Sequence, residues 1–196
     1  RRYPFRDSEE QQGLREFVSS EGHWKILVGP GQLGVATTAY ERWEGFRTRL
    51  EDATEQFRSA YGDPTLLGAR LMYRDVIIRS RIGCPGTPWG ELINSSLLGE
   101  LDADAISQQI VSTYHKLEIE LEEAPGTLTL IHGFDDTGQD EEVYVLESSF
   151  LHQFSGELDD GYRHLEEFHD VGGRVFRWAI TEELHDRLEP RIVNEG

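Results

Sequence analysis

Apolar runs in this chain come in pairs joined by tight turns, and each pair leads into an amphipathic helix. That arrangement constrains the fold more than any other feature. Residues 24–28 (Trp-Lys-Ile-Leu-Val) read as a strand, Gly29-Pro30-Gly31 supplies turn chemistry, and residues 33–38 return as the second arm of a hairpin. Residues 41–61 then show helical periodicity. Trp43, Phe46, Leu50 and Phe57 form one apolar stripe, with Ala53 and Thr54 beside it, and Glu44, Arg47, Glu51 and Arg58 fall on the opposite face. Gly62-Asp63-Pro64 ends the helix.

The second half repeats the order. Residues 114–122 alternate Leu117, Ile119 and Leu121 against Lys116, Glu118, Glu120 and Glu122, the pattern of a strand with one buried and one wet face. Pro125-Gly126 is a turn and residues 127–134 are the next strand. An acidic loop over 135–142 connects to a returning strand at 143–150. Asp159 is the expected cap of a long helix through Tyr162, Leu165, Phe168 and Phe176, with Gly172-Gly173 as a kink or close-packing point. Thr181 caps a short final helix before Pro190. The expectation is an α+β protein of two similar lobes, each of antiparallel strand hairpins covered by an amphipathic helix. A doubly wound sheet is disfavoured, because strands pair before each helix rather than alternating singly with helices.

Between the halves runs a long strand, 67–81. Gly68, Arg70, Met72, Arg74, Val76, Ile78 and Ser80 share one side, and Ala69, Leu71, Tyr73, Asp75, Ile77, Arg79 and Arg81 the other. The two prolines and two glycines of 83–88 form the best internal boundary, followed by short helical pieces over 91–109, the second of which Asp102 or Asp104 would cap. The expected organisation is therefore a polar segment 1–13, a first lobe 14–82, a linker 83–110 and a second lobe 111–196. The chain opens on Arg rather than Met, so its first residues read as part of a longer polypeptide.

Charge is segregated along the chain. Residues 1–97 carry 13 acidic and 13 basic side chains, whereas residues 98–196 carry 24 and 6, so the whole net charge of −18 lies in the later half. Such a surface disfavours direct nucleic-acid or anionic-lipid binding, which needs clustered cations, and favours a basic protein partner attracted at long range. No apolar run is long enough for a membrane-spanning helix. A single cysteine, Cys84, leaves no internal disulfide, and the expected compartment is cytoplasmic.

Several short segments resemble one family. Tyr40-Glu41-Arg42-Trp43-Glu44-Gly45-Phe46 is similar to its aromatic helix start, and Leu67-Gly68-Ala69-Arg70-Leu71 to a leucine-glycine strand motif. Val145-Leu146-Glu147 to Phe150 resembles an aspartate-bearing strand, and Phe168-His169 with Phe176, Ile180-Thr181 and Leu184 resembles its closing helix. The family is an uncharacterised one of sporadically distributed bacterial and archaeal proteins, and the resemblance spans residues 24–188. Its strand asparagine falls at Tyr73, and its two strand aspartates at Glu147 and Ser149. Patchy distribution implies mobile or defence loci, and with them partner binding, toxin neutralisation or phage defence.

Candidate chemistry is sparse. His164 and His169 are five apart, about 140° around a helix at 3.6 residues per turn, so they miss the same-face spacing of a helical metal pair and no metal is expected. His132 precedes the acidic loop, which lacks the ligand spacing of a calcium loop. Cys84 sits in a Pro/Gly turn without a neighbouring histidine, and Gly29-Pro30-Gly31-Gln32-Leu33-Gly34 lacks the ending of a phosphate loop. Arg70, Arg74, Arg79 and Arg81, around Tyr73 and Asp75, form a cation cluster suited to an ion-pair seam with the acidic half or to an anionic ligand.

The favoured function is a non-catalytic protein-binding module without a cofactor. Asp135, Asp136, Asp140, Glu141, Glu142, Glu157, Asp159 and Asp160 would engage the basic partner, and a homo-oligomer is compatible with this. The rival is an enzyme with a polar site between the lobes built from Arg70, Tyr73, Arg74, His132 and Glu147.

Overall fold

The computed structural model describes residues 13–103, 105–135 and 141–188. It is a mixed α/β structure with two antiparallel sheets, of three and four strands. The chain divides into two compact units, 1–64 and 65–196.

In the first unit, β1 (Arg15–Val18), β2 (Trp24–Gly29) and β3 (Gln32–Thr37) lie in sequence order, each antiparallel to the next. Gly29 pairs with Gln32, so Pro30-Gly31 is a two-residue turn. Proline presets its first torsion, and Gly31 takes φ 74°, the left-handed value a Pro-Gly turn needs at its second position. Helix α1 (Trp43–Tyr61) follows. Its stripe is the expected one: Trp43, Ala53 and Thr54 are buried, and Phe46, Leu50 and Phe57 are half-buried. Phe46 stacks on both Trp24 (6.1 Å) and Trp43 (5.9 Å), which ties the start of the helix to β2. Strand β1 was not anticipated. All four of its residues are exposed, so the inward-outward contrast that marks a strand in sequence is missing.

The second unit begins with β4 (Leu66–Ile78), continues through single turns and the short α2 (Ser95–Leu98), and reaches β5 (His115–Glu120), β6 (Thr127–Phe134) and β7 (Val143–Gly156). Helices α3 (Leu158–Ala179) and α4 (Glu182–Arg187) close it. The strand order is β4-β7-β6-β5. The long strand thus pairs with β7 along nearly its whole length, from Leu66↔Gly156 to Ile78↔Val143. This is why the division falls at 64/65 and not in the Pro/Gly stretch at 83. A ladder of that length binds β4 to the second unit, and beyond the Pro/Gly stretch Trp89 packs on Phe134 and Tyr144 of the same sheet. The two sheets also differ in strand number and order, so the likeness of the halves goes no further than strands followed by a helix.

One face of the four-stranded sheet is the core. Leu71, Ile77, Leu128, Leu130, Phe134, Tyr144, Leu146 and Phe150 are buried there, and Phe168 of α3 stacks on Phe150 at 5.6 Å. Gly172 lies within α3 as a close-packing point. A Cβ there would stand 3.2 Å from the Tyr73 ring and 3.4 Å from Phe150. Residues 91–94 are laced to the end of α3. Ile93 bridges Ile180, Asn94 N donates to Ala179 O, Thr181 N donates to Leu92 O, and the Thr181 hydroxyl donates to Glu91 O. These bonds hold Leu92, Ile93, Leu97, Leu98 and Leu101 in the core. Helix α3 is capped not by Asp159 but by Glu157, in a reciprocal capping box with Asp160. Asn94 caps α2, and the later turn Ser107–Gln109 has Ile106, not Asp102, at its N-cap; Asp104 lies outside the described residues. Thr181 caps α4 as expected.

Candidate functional site

The acidic loop and the arginines of β4 meet. Arg74 stands opposite Glu147 in the β4–β7 register and pairs with it at 3.2 Å through Nη1, while its Nη2 reaches Asp135 at 2.8 Å. Just past β4, Arg79 donates from Nη1 to Thr87 O (2.7 Å) and from Nη2 to Glu142 (2.8 Å). Its guanidinium lies 4.6 Å from the centre of the Trp89 ring. Glu142 also accepts from Trp89 Nε1 at 2.9 Å, and Ser80 donates to Glu141. Both described ends of the loop are therefore fastened to β4 and the turn after it.

The eight carboxylates expected to receive a partner are consequently not a free set. Asp135, Glu141 and Glu142 have these internal partners. Glu157 and Asp160 are occupied by the capping box, Asp160 also by Arg163 at 2.9 Å, and the Glu157 backbone N–H holds the Asp160 carboxyl below its ordinary range. Asp159 is exposed in the first turn of α3, and Asp136 and Asp140 lie outside the described residues.

The five residues of the rival site all belong to the second unit and lie on two faces of one sheet. Arg70, Arg74 and Glu147 are on the face away from α3, where Arg70 Nε donates to Ser149 Oγ at 3.1 Å. Tyr73 and His132 are on the core face. The Tyr73 hydroxyl bonds His169 Nδ1 of α3 at 2.9 Å, and His132 Nδ1 bonds the Tyr144 hydroxyl at 3.0 Å. A sheet cannot gather residues from its two opposite faces around a single ligand. Arg79 and Arg81 leave the strand altogether, in a single turn over Arg79–Ile82.

The core face carries more polarity than its neighbours suggest. His115 and His132 stack with centroids 5.0 Å apart, and His115 Nε2 lies 3.0 Å from a Glu100 carboxylate oxygen, off line for a hydrogen bond. Burial lowers the pKa of His132, the His115 charge lowers it further, and Glu100 opposes both. Burial alone raises that of Tyr144. Asp75, also on this face, is pushed up to about 6 by loss of solvent. His132 meets the Tyr144 hydroxyl, and His164 Nδ1 lies 3.0 Å from Glu167, whereas His115 Nε2 has no hydrogen-bond partner among the described residues. The first two are satisfied as buried imidazoles are within a core.

For a metal, the described residues bring together Glu182, His185 and Asp186 along the six-residue α4. Glu182 and Asp186 are exposed, and Glu182 is already paired with Arg177. Cys84 is buried. Among the described residues, no helix is long and apolar enough to cross a membrane.

The remaining feature is an edge. Strand β5 ends the sheet, and its residues Lys116 to Glu120 are all exposed, including Leu117 (42%) and Ile119 (40%) on the core face. Lys116 and Glu118 pair at 2.7 Å on the opposite face, beside Glu120. Sequence reading had found the alternation of β5 but not its edge position, which follows only from the strand order. A scan against family models, a search of curated proteins and a search of solved structures each return no match for the chain.

Proposed function

We propose that the protein is a non-catalytic protein-binding module whose acidic second unit receives a basic protein partner. The observation that carries this reading is the charge of the 65–196 unit, 26 acidic against 10 basic residues, with Arg74 of β4 and Arg79 just past it spent internally. A net −16 confined to one unit attracts cations over several ångströms and repels phosphate backbones. Because Asp135, Glu141 and Glu142 have internal partners, the foremost receiving carboxylates are those without cationic partners among the described residues, Glu120 and Glu122, with the singly paired Glu118, on and beside β5. Toxin neutralisation or phage defence, the settings implied by the family resemblance, suits a module of this kind. The division of Arg70, Arg74 and Glu147 from Tyr73 and His132 between two faces supports the binding reading over the enzyme reading.

Selection of a random peptide library displayed on phage against the immobilised protein tests it. Lys/Arg-rich sequences are expected, with binding weakened by about tenfold between 0.05 and 0.5 M salt as screening shortens the field. Enrichment of acidic or purely apolar sequences, or affinity insensitive to salt, overturns it.

A further inference from the structure

We propose that the outer edge of β5 binds its partner by strand addition, taking an extended segment in which basic and apolar residues alternate. This rests on the basic-partner reading and specifies how the partner docks.

The backbone directions follow from two bonds that flank β5. Thr113 N donates to Phe134 O and Leu121 N donates to Gly126 O, both at 3.1 Å, and both pairs continue the β5–β6 register. In an antiparallel ladder, hydrogen-bonded positions alternate. Residues 113, 115, 117, 119 and 121 therefore turn their N–H and C=O groups toward β6, while Lys116, Glu118 and Glu120 turn theirs outward. An incoming strand would find three residues of aligned donors and acceptors.

Side chains set what that strand must be. A residue placed opposite Glu118 or Glu120 puts its own side chain on their face, so Lys or Arg there meets a carboxylate. The residues between fall on the other face, against Leu117 and Ile119, whose exposed surface they would cover. Lys116 marks the register, since a third cation opposite it is disfavoured. A second copy of this chain is the poorer occupant, because two-fold β5–β5 pairing centred on Glu118 sets that carboxylate against itself. Charged edges also keep sheets from pairing at random. Here two carboxylates outnumber the one lysine, which selects among strands as well as repelling some.

The experiment uses the wild-type protein and three six-residue probes at 0.15 M salt. These are a Lys/Val-alternating peptide, its block isomer of three Lys then three Val, and the alternating peptide N-methylated at every second amide. Strand addition predicts that the alternating peptide binds at least about tenfold tighter than the other two. It also predicts slowed hydrogen exchange at the amides of Lys116, Glu118 and Glu120. Glu118→Pro adds a second arm: the Glu118 N–H faces outward, so proline spares the β5–β6 ladder yet blocks one docking bond. Binding should fall further with it than with Glu118→Gln. Equal binding of all three peptides without protection of those amides overturns strand addition while leaving basic capture standing. Failure of all three to bind, with no basic selection in the phage experiment, removes the underlying reading as well.

Discussion

At the scale of single residues, Asp75 is the most instructive. It sits in β4 between Tyr73 and Ile77 on the core face, opposite Leu146, and its folded pKa is lifted from 3.8 to about 6 by desolvation. The fold prefers the protonated acid. Its contribution is therefore most favourable below about pH 4, where both states hold the proton, and is lost as pH rises through 6. Two pKa units correspond to about 3 kcal/mol, and partial exposure trims this toward 1. Asp75→Asn should raise stability by about 1–3 kcal/mol at pH 7 and leave it nearly unchanged at pH 4. Urea denaturation of both proteins at the two pH values checks this; an Asn variant less stable at pH 7 would mean that the carboxylate has a function in the charged form. Tyr144, fully buried and bonded to His132, makes the opposite case. Tyr144→Phe strands an imidazole nitrogen and should lower stability by about 1–2 kcal/mol, read as a shift of the urea midpoint.

At the scale of elements, much of the secondary structure was legible and much of the pairing was not. The stripe of α1, the alternation of β5 and the Thr181 cap are local patterns, and the structure realises each. The parity of β4 was legible too. It already set Tyr73 apart from Arg70 and Arg74, and so argued against gathering them in one site. What no local pattern could reveal is that β4 lies beside β7, about eighty residues onward, which makes β5 an edge and fastens the acidic loop to arginines before it. The capping box was missed because Glu157 is a less usual cap than an aspartate two residues later. The lacing of residues 91–94 to the end of α3 is the junction most exposed to a single change. Thr181→Ala removes both its cap bond to Leu184 N and its bond to Glu91 O. A loss of about 1–2 kcal/mol is expected, with faster hydrogen exchange at Leu92 and Asn94 in the same sample. Unchanged exchange there would show that the lacing is redundant.

At the scale of the whole molecule, charge and architecture coincide. The strand ladders from β4 to β7, the helices that cover them and nearly all the excess negative charge belong to residues 65–196. That segment, expressed alone, should retain its far-UV circular dichroism and melt cooperatively. Its melting temperature should climb between 0.01 and 0.3 M sodium chloride, as screening relieves repulsion among carboxylates. A segment that is unfolded at every salt concentration would show that it depends on the first 64 residues.

The fastening of the acidic loop has a practical side. Arg74 grips Asp135 where the chain leaves β6, and Arg79, Trp89 and Ser80 grip Glu141 and Glu142 where it enters β7. Departure and arrival are each nailed down by the protein's own scaffold. Foreign sequence spliced between those two moorings, whether an epitope or a fluorophore-bearing insert, would have little leverage on the sheet beneath it.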